Sequence, residues 1–364
     1  MRVFIAVLTL CLFSTHGLAQ KKLLAKADSL LSSGLSFLPI PILYNSPETS
    51  WGAGLSTGYY FRLGDSLTRH SNLQAQAVYT LRRQFITRLS ADLFGPAESW
   101  YAYGYLSYRN YTDRFYGIGA QRSLADRLDF NFSSWEARAG WLWQLFPNQF
   151  IGPLVRHQYL YNLSPADAGT WDALELTGGQ GYSTTGWGLE YRFDTRNNVQ
   201  STQSGWFLRA WYRHHPAWHG STPAFGHAAV DLRHFHHFRP EWVWANRILA
   251  QHQNGQPPFR ELAMAGGSDF ARGFFEGRFR DKNLTGWESE LRWQAHRLVG
   301  INAFTSVFTV APAFQKLSTQ HLQAAYGLGL RLFVNPRERI ALRIDVARNT
   351  EGQYGFYIDL SEAF

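Results

Sequence analysis

The sequence predicts an all-β protein, a transmembrane antiparallel barrel of about sixteen strands. Three observations carry this. Apolar and polar side chains alternate from Thr49 to the end of the chain. Aromatic residues make up 16% and charged residues only 17% of the 364 residues, yet mean hydropathy is −0.28. The first residues read as an export signal. A barrel in lipid exposes apolar side chains only at alternate positions, so it is mildly polar overall while rich in Trp, Tyr, Phe and Gly.

In TGWGLEYRFD, Trp187, Leu189, Tyr191 and Phe193 alternate with Gly188, Glu190, Arg192 and Asp194. In GWESELRWQ, Trp287, Ser289, Leu291 and Trp293 oppose Glu288, Glu290 and Arg292. In LQAAYGLGLRLFV, a Leu, Ala and Tyr face opposes Gln323, Gly327, Gly329 and Arg331. In RIALRIDVA, Ile340, Leu342, Ile344 and Val346 oppose Arg343 and Asp345. A soluble β-sandwich also alternates. Here the second face mixes charges with glycines, as a wet barrel interior requires, and the first carries the aromatics of a lipid-facing wall. Backbone groups facing lipid must all be paired, so such strands close into a barrel.

The expected strands span residues 49–63, 71–82, 84–95, 99–111, 129–145, 149–162, 170–180, 184–197, 205–216, 226–238, 241–254, 285–297, 301–314, 322–334, 338–348 and 353–364. Gly178, Gly179 and Gly181 interrupt the seventh. An even strand number with a periplasmic N-terminus puts both ends on the periplasmic side.

Arg2, the apolar run from Val3 to Phe13 and the small-x-small site Gly17-Leu18-Ala19 form a secretory signal over residues 1–19, with Gln20 as the expected mature start. The run is too short to span hydrocarbon. The one cysteine, Cys11, lies within it, and Leu10 stands where lipid attachment needs a small residue. The mature barrel is thus expected to hold together without disulfides. Residues 20–48 read as a short periplasmic leader. Within it, residues 21–33 carry leucines at helical spacing, which fits either an amphipathic helix or a frayed segment. Residues 49–364 read as the barrel.

The net charge of +8 is spread along the chain rather than clustered. Nucleic-acid binding needs a basic face and is not expected. His214, His215, His219, His227, His234, His236 and His237 are dense but fall on opposite strand faces and in different loops, without a metal-binding spacing. No Gly-x-Ser-x-Gly elbow is present. Neither a cofactor, a metal nor an enzymatic site is expected.

The stretch with most information is GGSDFARGFFEGRFRD, residues 266–281, inside a loop spanning residues 255–284. A glycine-rich charged loop of this length in an all-β chain is more often functional than a spacer. Its Arg272-Gly273-Phe274 core, the turn LEYRFDTRNNVQSTQSGWF with Asp194, Arg196 and Asn197, the acidic strand ESELRW, the segment RFYGIGA (114–120) and the closing strands GLGLRLFVNPRERIALRIDVA together resemble the outer-membrane assembly and polypeptide-transport barrel superfamily. That superfamily, also called the bacterial surface antigen family, includes the Bam and Tam assembly barrels. The resemblance runs from about residue 45 to the end, with Ala271 replacing the usual Val of the loop.

The resemblance implies that the loop folds into the lumen, where Arg272 pairs with Glu290, Gly273 permits close backbone approach and Phe274 packs in the loop's base. Relatives often supply a second acid from the strand equivalent to INAFTSVFTVAPAF, which has none here; Asp345 or Glu288 is the available substitute. It further implies a seam between the first and last strands, and a role in inserting or translocating polypeptides or lipids. The expected partners are outer-membrane lipids, polypeptide clients or periplasmic proteins, and the barrel-insertion machinery during biogenesis. The family's periplasmic repeats find no room before the barrel, which leaves a passive or substrate-selective pore as the alternative. In QYGFYIDLSEAF, Phe356, Ile358, Leu360 and Phe364 are expected on one face, as a C-terminal insertion signal.

Overall fold

The computed structural model describes residues 40–64, 68–199, 201–217, 222–335, 339–360 and 362–364. The expected signal and most of the expected leader lie outside these residues. Among the described residues, sixteen antiparallel strands close into one barrel, and two short strands form a separate hairpin.

In chain order the strands are β1 (Ile40–Ser46), β2 (Ser50–Phe61), β3 (Ser71–Thr80), β4 (Phe85–Phe94), β5 (Trp100–Phe115), β6 (Leu128–Phe146), β7 (Gln149–Pro165), β8 (Tyr182–Asp194), β9 (Gly205–His215), β10 (Phe225–Arg239) and β11 (Trp242–Gly255). The hairpin strands β12 (Ala263–Ala265) and β13 (Phe279–Asp281) follow. The wall then resumes with β14 (Asn283–His296), β15 (Val299–Ala311), β16 (Gln323–Asn335), β17 (Ile340–Asn349) and β18 (Tyr354–Leu360). Each wall strand pairs with its neighbour in sequence, β11 pairs β14, and β1 meets β18 to close the ring.

The strand number matches the sequence expectation, but through two offsetting errors. The wall begins at Ile40, not residue 49: β1 pairs β2 from Ile40 with Ser56 to Ser46 with Ser50. Pro41 within it, Pro39 and Pro47 beside it, and the lack of clean alternation hid it within the expected leader. Conversely, residues 170–180 form no strand. Asp167 accepts the Thr170 N–H at 3.0 Å and starts the one-turn helix α1 (Ala168–Asp172). Gly178 (φ +74°) and Gly181 (φ +102°) then turn the chain in a conformation a strand cannot use. Trp171 of α1 is buried and donates from Nε1 to the Gly179 carbonyl at 2.9 Å.

The alternation sorts side chains as lipid and lumen demand. Trp187, Leu189, Trp287, Leu291 and Val346 are exposed on the outer face, while Glu290, Asp345, Arg331 and Arg343 are buried inside. Paired aromatics mark both ends of the wall. Trp100 lies on Trp141 (4.6 Å between centroids) and Trp242 on Trp293 (5.5 Å) at the end where the chain enters and leaves the barrel. Tyr108 with Trp135 (4.9 Å) and Tyr159 with Tyr161 (4.8 Å) mark the opposite end. Such girdles sit at membrane interfaces.

The core of the molecule is therefore inside the barrel. The segment between β11 and β14 enters the lumen and packs Phe270, Phe274 and Phe279 against Phe308 of β15 and Ala325 of β16. A second cluster joins Phe259 of the same segment to Phe115, Phe130 and Trp171. The segment is a plug with its own hydrophobic base.

Candidate functional site: the lumenal plug and its tethers

At the centre of the plug, Arg272 is buried and forks between two strands. Nη2 donates to Glu290 on β14, and Nη1 donates to Asp345 on β17 at 2.5 Å. The face of its guanidinium lies 3.8 Å from the Phe304 ring centroid on β15. A planar cation with parallel donors suits two carboxylates held by separate rigid strands. The second acid is thus Asp345, two strands beyond INAFTSVFTVAPAF. Glu288 instead accepts the Ala271 N–H at 2.8 Å and lies 3.5 Å from Arg247.

Neither carboxylate serves Arg272 alone. Glu290 also accepts from Arg292 Nε at 2.8 Å, and Asp345 from Arg331 Nη1 at 2.6 Å. Gly329 on β16 makes room for the latter pair: a Cβ there would lie 2.2 Å from Asp345 Oδ1. Buried charges are tolerable only when paired in this way, because each unpaired one costs several kcal/mol.

The residues beside Arg272 reach the closing strands. Gly273 has φ +112°, and a Cβ on it would press within 3.2 Å of Ala325 and 3.3 Å of Ala347. Its N–H donates to the Tyr357 hydroxyl on β18 at 2.8 Å, and its carbonyl accepts from Asn349 Nδ2 at 2.9 Å. Phe274 is fully buried and meets Phe279 and Phe308 edge to face, at 5.6 and 5.2 Å. Farther along, the Glu276 N–H donates to Glu48, in the turn between β1 and β2, at 2.8 Å. Arg278 Nε donates to Glu351, between β17 and β18, at 2.9 Å. Burial pushes the Glu48 carboxyl above its ordinary range, opposed by hydrogen bonds from Ser46 and the Glu276 amide.

These tethers converge on one part of the wall. β1 and β18 have seven residues each, the shortest wall strands among the described residues, and they meet with Asn45 opposite Ile358. The plug holds β18 through Tyr357 and the turn that follows β1 through Glu48, so it grips both sides of the junction. The segment 114–120 supports the plug from across the lumen, with the Gly119 N–H donating to the Arg280 carbonyl at 2.9 Å.

The turn residues form a second cluster at the entry end. Arg196 donates to Asp194 from Nε and Nη2, both at 2.8 Å, and Asn197 Oδ1 accepts the Gln203 and Ser204 N–H groups. Asp194 also lies 3.4 Å from Arg69, which is doubly bonded to Glu98, so three turns are joined.

The expected terminal face divides. Phe356 is exposed on the outer wall and Ile358 is covered there, and Leu360 is the last residue of β18. Phe364 does not share their face. The strand ends at Leu360, and Phe364 is buried inside, 6.3 Å from Phe235 of β10, with its main-chain oxygen accepting from Arg292 at 2.9 Å. Alternation holds only while β pairing continues.

The histidines do not converge. His215 stacks on Phe225 and His234 on Trp206, each 4.1 Å between centroids, while His219 lies outside the described residues. Among the described residues, no group of His, Cys, Asp or Glu is arranged to hold a metal ion. Sequence reasoning missed Tyr357, Asn349, Glu48 and the tail. The inward position of Arg292, Arg331 and Asp345 was visible in the alternation, but their convergence on Arg272 was not.

The fold is shared with solved barrels. BamA from Haemophilus ducreyi lacking POTRA domains 1–3 superposes with TM-score 0.57 at 12% identity, covering 93% of this chain and 78% of that one. CdiB from Acinetobacter baumannii gives 0.57 at 12% identity over 90% of this chain, and CdiB from Escherichia coli gives 0.57 at 12% over 89%. This chain spans 60% and 63% of the two CdiB chains. No curated protein sequence matches. The family model described as the Omp85 superfamily domain matches residues 49–364, nearly the whole wall and the plug. The chain belongs to the Omp85 superfamily and is a β-barrel of the Gram-negative outer membrane.

Proposed function

We propose that this barrel assists insertion or translocation of polypeptides, or of lipids, at the outer membrane, through the junction of β1 and β18. One observation carries the reading: the plug is tied to both sides of the junction where the wall strands are shortest. The superfamily's general role in outer-membrane assembly and translocation agrees with it. In this reading the entry end, with the Asp194 turn, faces the periplasm, and the long plug segment enters from the outside.

The mechanism follows from the tethers. Arg272 holds the plug to β14 and β17, away from the junction. The bonds to Tyr357 and Glu48 reach β18 and the turn that directly follows β1, on either side of the seam that would have to part. Opening the junction would break these lighter contacts, each on the order of 1 kcal/mol, before the buried ionic anchor gives way. A client strand would then find unpaired backbone groups on β1 or β18.

Cysteines at Asn45 and Ile358 test this, since the chain's only thiol is Cys11 in the expected signal. Oxidised cells should lose client proteins from the outer membrane and recover them on reduction. Unchanged client levels with the bond formed would overturn the reading. A passive pore is the second reading. It is favoured by the inner wall of β2 and β3, where Ser56 and Gly58 face Gln76 and Gln74 and carry no charge to pair with the plug. Steady single-channel conductance that ignores the oxidised bond would support it.

A further inference from the structure

Glu362 and Phe364 follow the junction strand β18, yet they lie against strands far around the wall. Glu362 Oε2 accepts from Arg331 Nε on β16 at 2.7 Å. Phe364 sits over Ala245 of β11 and Phe235 of β10. The Arg292 guanidinium of β14 is 5.4 Å from the Phe364 ring centroid and donates to its main-chain oxygen at 2.9 Å. A narrow cavity lined by Thr202, Glu241, Arg292, Arg331 and Arg339 flanks Glu362.

We propose that this is a peptide-binding cleft, filled by the chain's own residues 362–364, and that its occupancy holds the plug. Its ligand class is a short extended segment with a carboxylate and an aromatic ring two residues apart. Arg331 receives the carboxylate. Arg292 receives the main-chain oxygen and stacks on the ring, and Phe235 with Ala245 forms the apolar floor.

The link to the plug is electrostatic and short. Arg331 is bonded at once to Glu362 and Asp345, and Arg292 at once to Phe364 and Glu290. Asp345 and Glu290 are the two acids that hold Arg272. With the tail seated, the Glu362 carboxylate balances part of the cationic charge beside them. When the tail leaves, Arg331 has only Asp345, which it shares with Arg272, and the cluster gains one uncompensated positive charge. Among groups buried this deeply that charge repels Arg272. Since residues 362–364 follow β18, movement of the junction strand would empty the cleft and loosen the anchor. This stands apart from what the barrel transports.

Hydrogen exchange of residues 266–281 in the membrane-inserted full-length chain tests it. Glu362→Gln and Phe364→Ala should each speed exchange of this segment by about tenfold, and Glu362→Asp by much less. A chain ending at residue 360 should show the same loss. The peptide Ser-Glu-Ala-Phe, added to it, should restore protection saturably, whereas Ser-Gln-Ala-Ala should not. Arg331→Ala in the shortened chain should abolish the response. Unchanged exchange in both point variants overturns the proposal without requiring the shortened chain to insert. Loss of protection that no peptide restores overturns the cleft as a binding site.

Discussion

The backbone N–H of Gly273 donates to the hydroxyl of Tyr357 at 2.8 Å, joining the tip of the plug to the strand that closes the barrel. The two residues are 84 positions apart in sequence. The bond exists because Gly273 lacks a side chain and Tyr357 points inward. Removing only the hydroxyl, in Tyr357→Phe, leaves the buried ring packed and the Gly273 N–H without this acceptor. The expected loss is about 1–3 kcal/mol, that of a buried donor left unsatisfied. Faster exchange of the Gly273 amide with an unchanged barrel spectrum is the check.

Arg272 should be the costlier residue. Arg272→Ala leaves Glu290 and Asp345 without their shared cation in a dry site and should cost about 3–5 kcal/mol in denaturant unfolding from vesicles. Arg272→Lys should recover only part of this, because an ammonium is a point charge and cannot fork between acids on β14 and β17. Glu290→Gln combined with Arg272→Ala should cost less than the sum of the two. Strict additivity would show that the pair is not coupled.

Gly273→Ala tests close approach rather than charge. The new Cβ would press on Ala325 and Ala347, and φ +112° is strained for any L side chain. The expected cost is about 1–3 kcal/mol, and Gly273→Val should cost more. Equal stability of the Ala variant and the parent, by heat-dependent gel mobility, would show that the tip has room to move.

Glu48 gives the plug a pH dependence. Its carboxyl is buried, with a folded value above the ordinary 4.5. For a raised acid the folded state binds the extra proton. Its stabilising effect is complete below the ordinary value and is lost as pH rises through the folded one. Glu48→Gln keeps an oxygen for the Glu276 N–H but removes the titration. Its unfolding midpoint should vary less with pH above 4.5 than the parent's. Identical pH profiles for the two would remove Glu48 as the cause.

Much of this was legible in the chain. Alternation placed Glu290, Arg292, Arg331, Arg343 and Asp345 inside, because period two follows from local backbone geometry alone. The loop at 266–281 stood out by composition, and its neighbours resembled a known barrel superfamily. β1 was missed because Pro41 and the prolines flanking it obscure the period. The strand expected at 170–180 failed because its glycines serve a turn. Phe364 was placed on one face with Phe356, Ile358 and Leu360 by carrying the alternation past Leu360, where strand pairing ends.

The sequence by itself determined most of the wall: every strand except β1, which side of each meets lipid, and which loop is unlike the others. Local preferences and side-chain polarity suffice for that. Only the tertiary structure decided that Asp345 completes the Arg272 anchor, that Tyr357 and Glu48 tie the plug to both sides of the β1–β18 junction, and that the tail turns inward to Arg292 and Arg331. These contacts join residues far apart in the chain. Barrel closure and strand register set their distances, and neither is written in any local stretch of sequence.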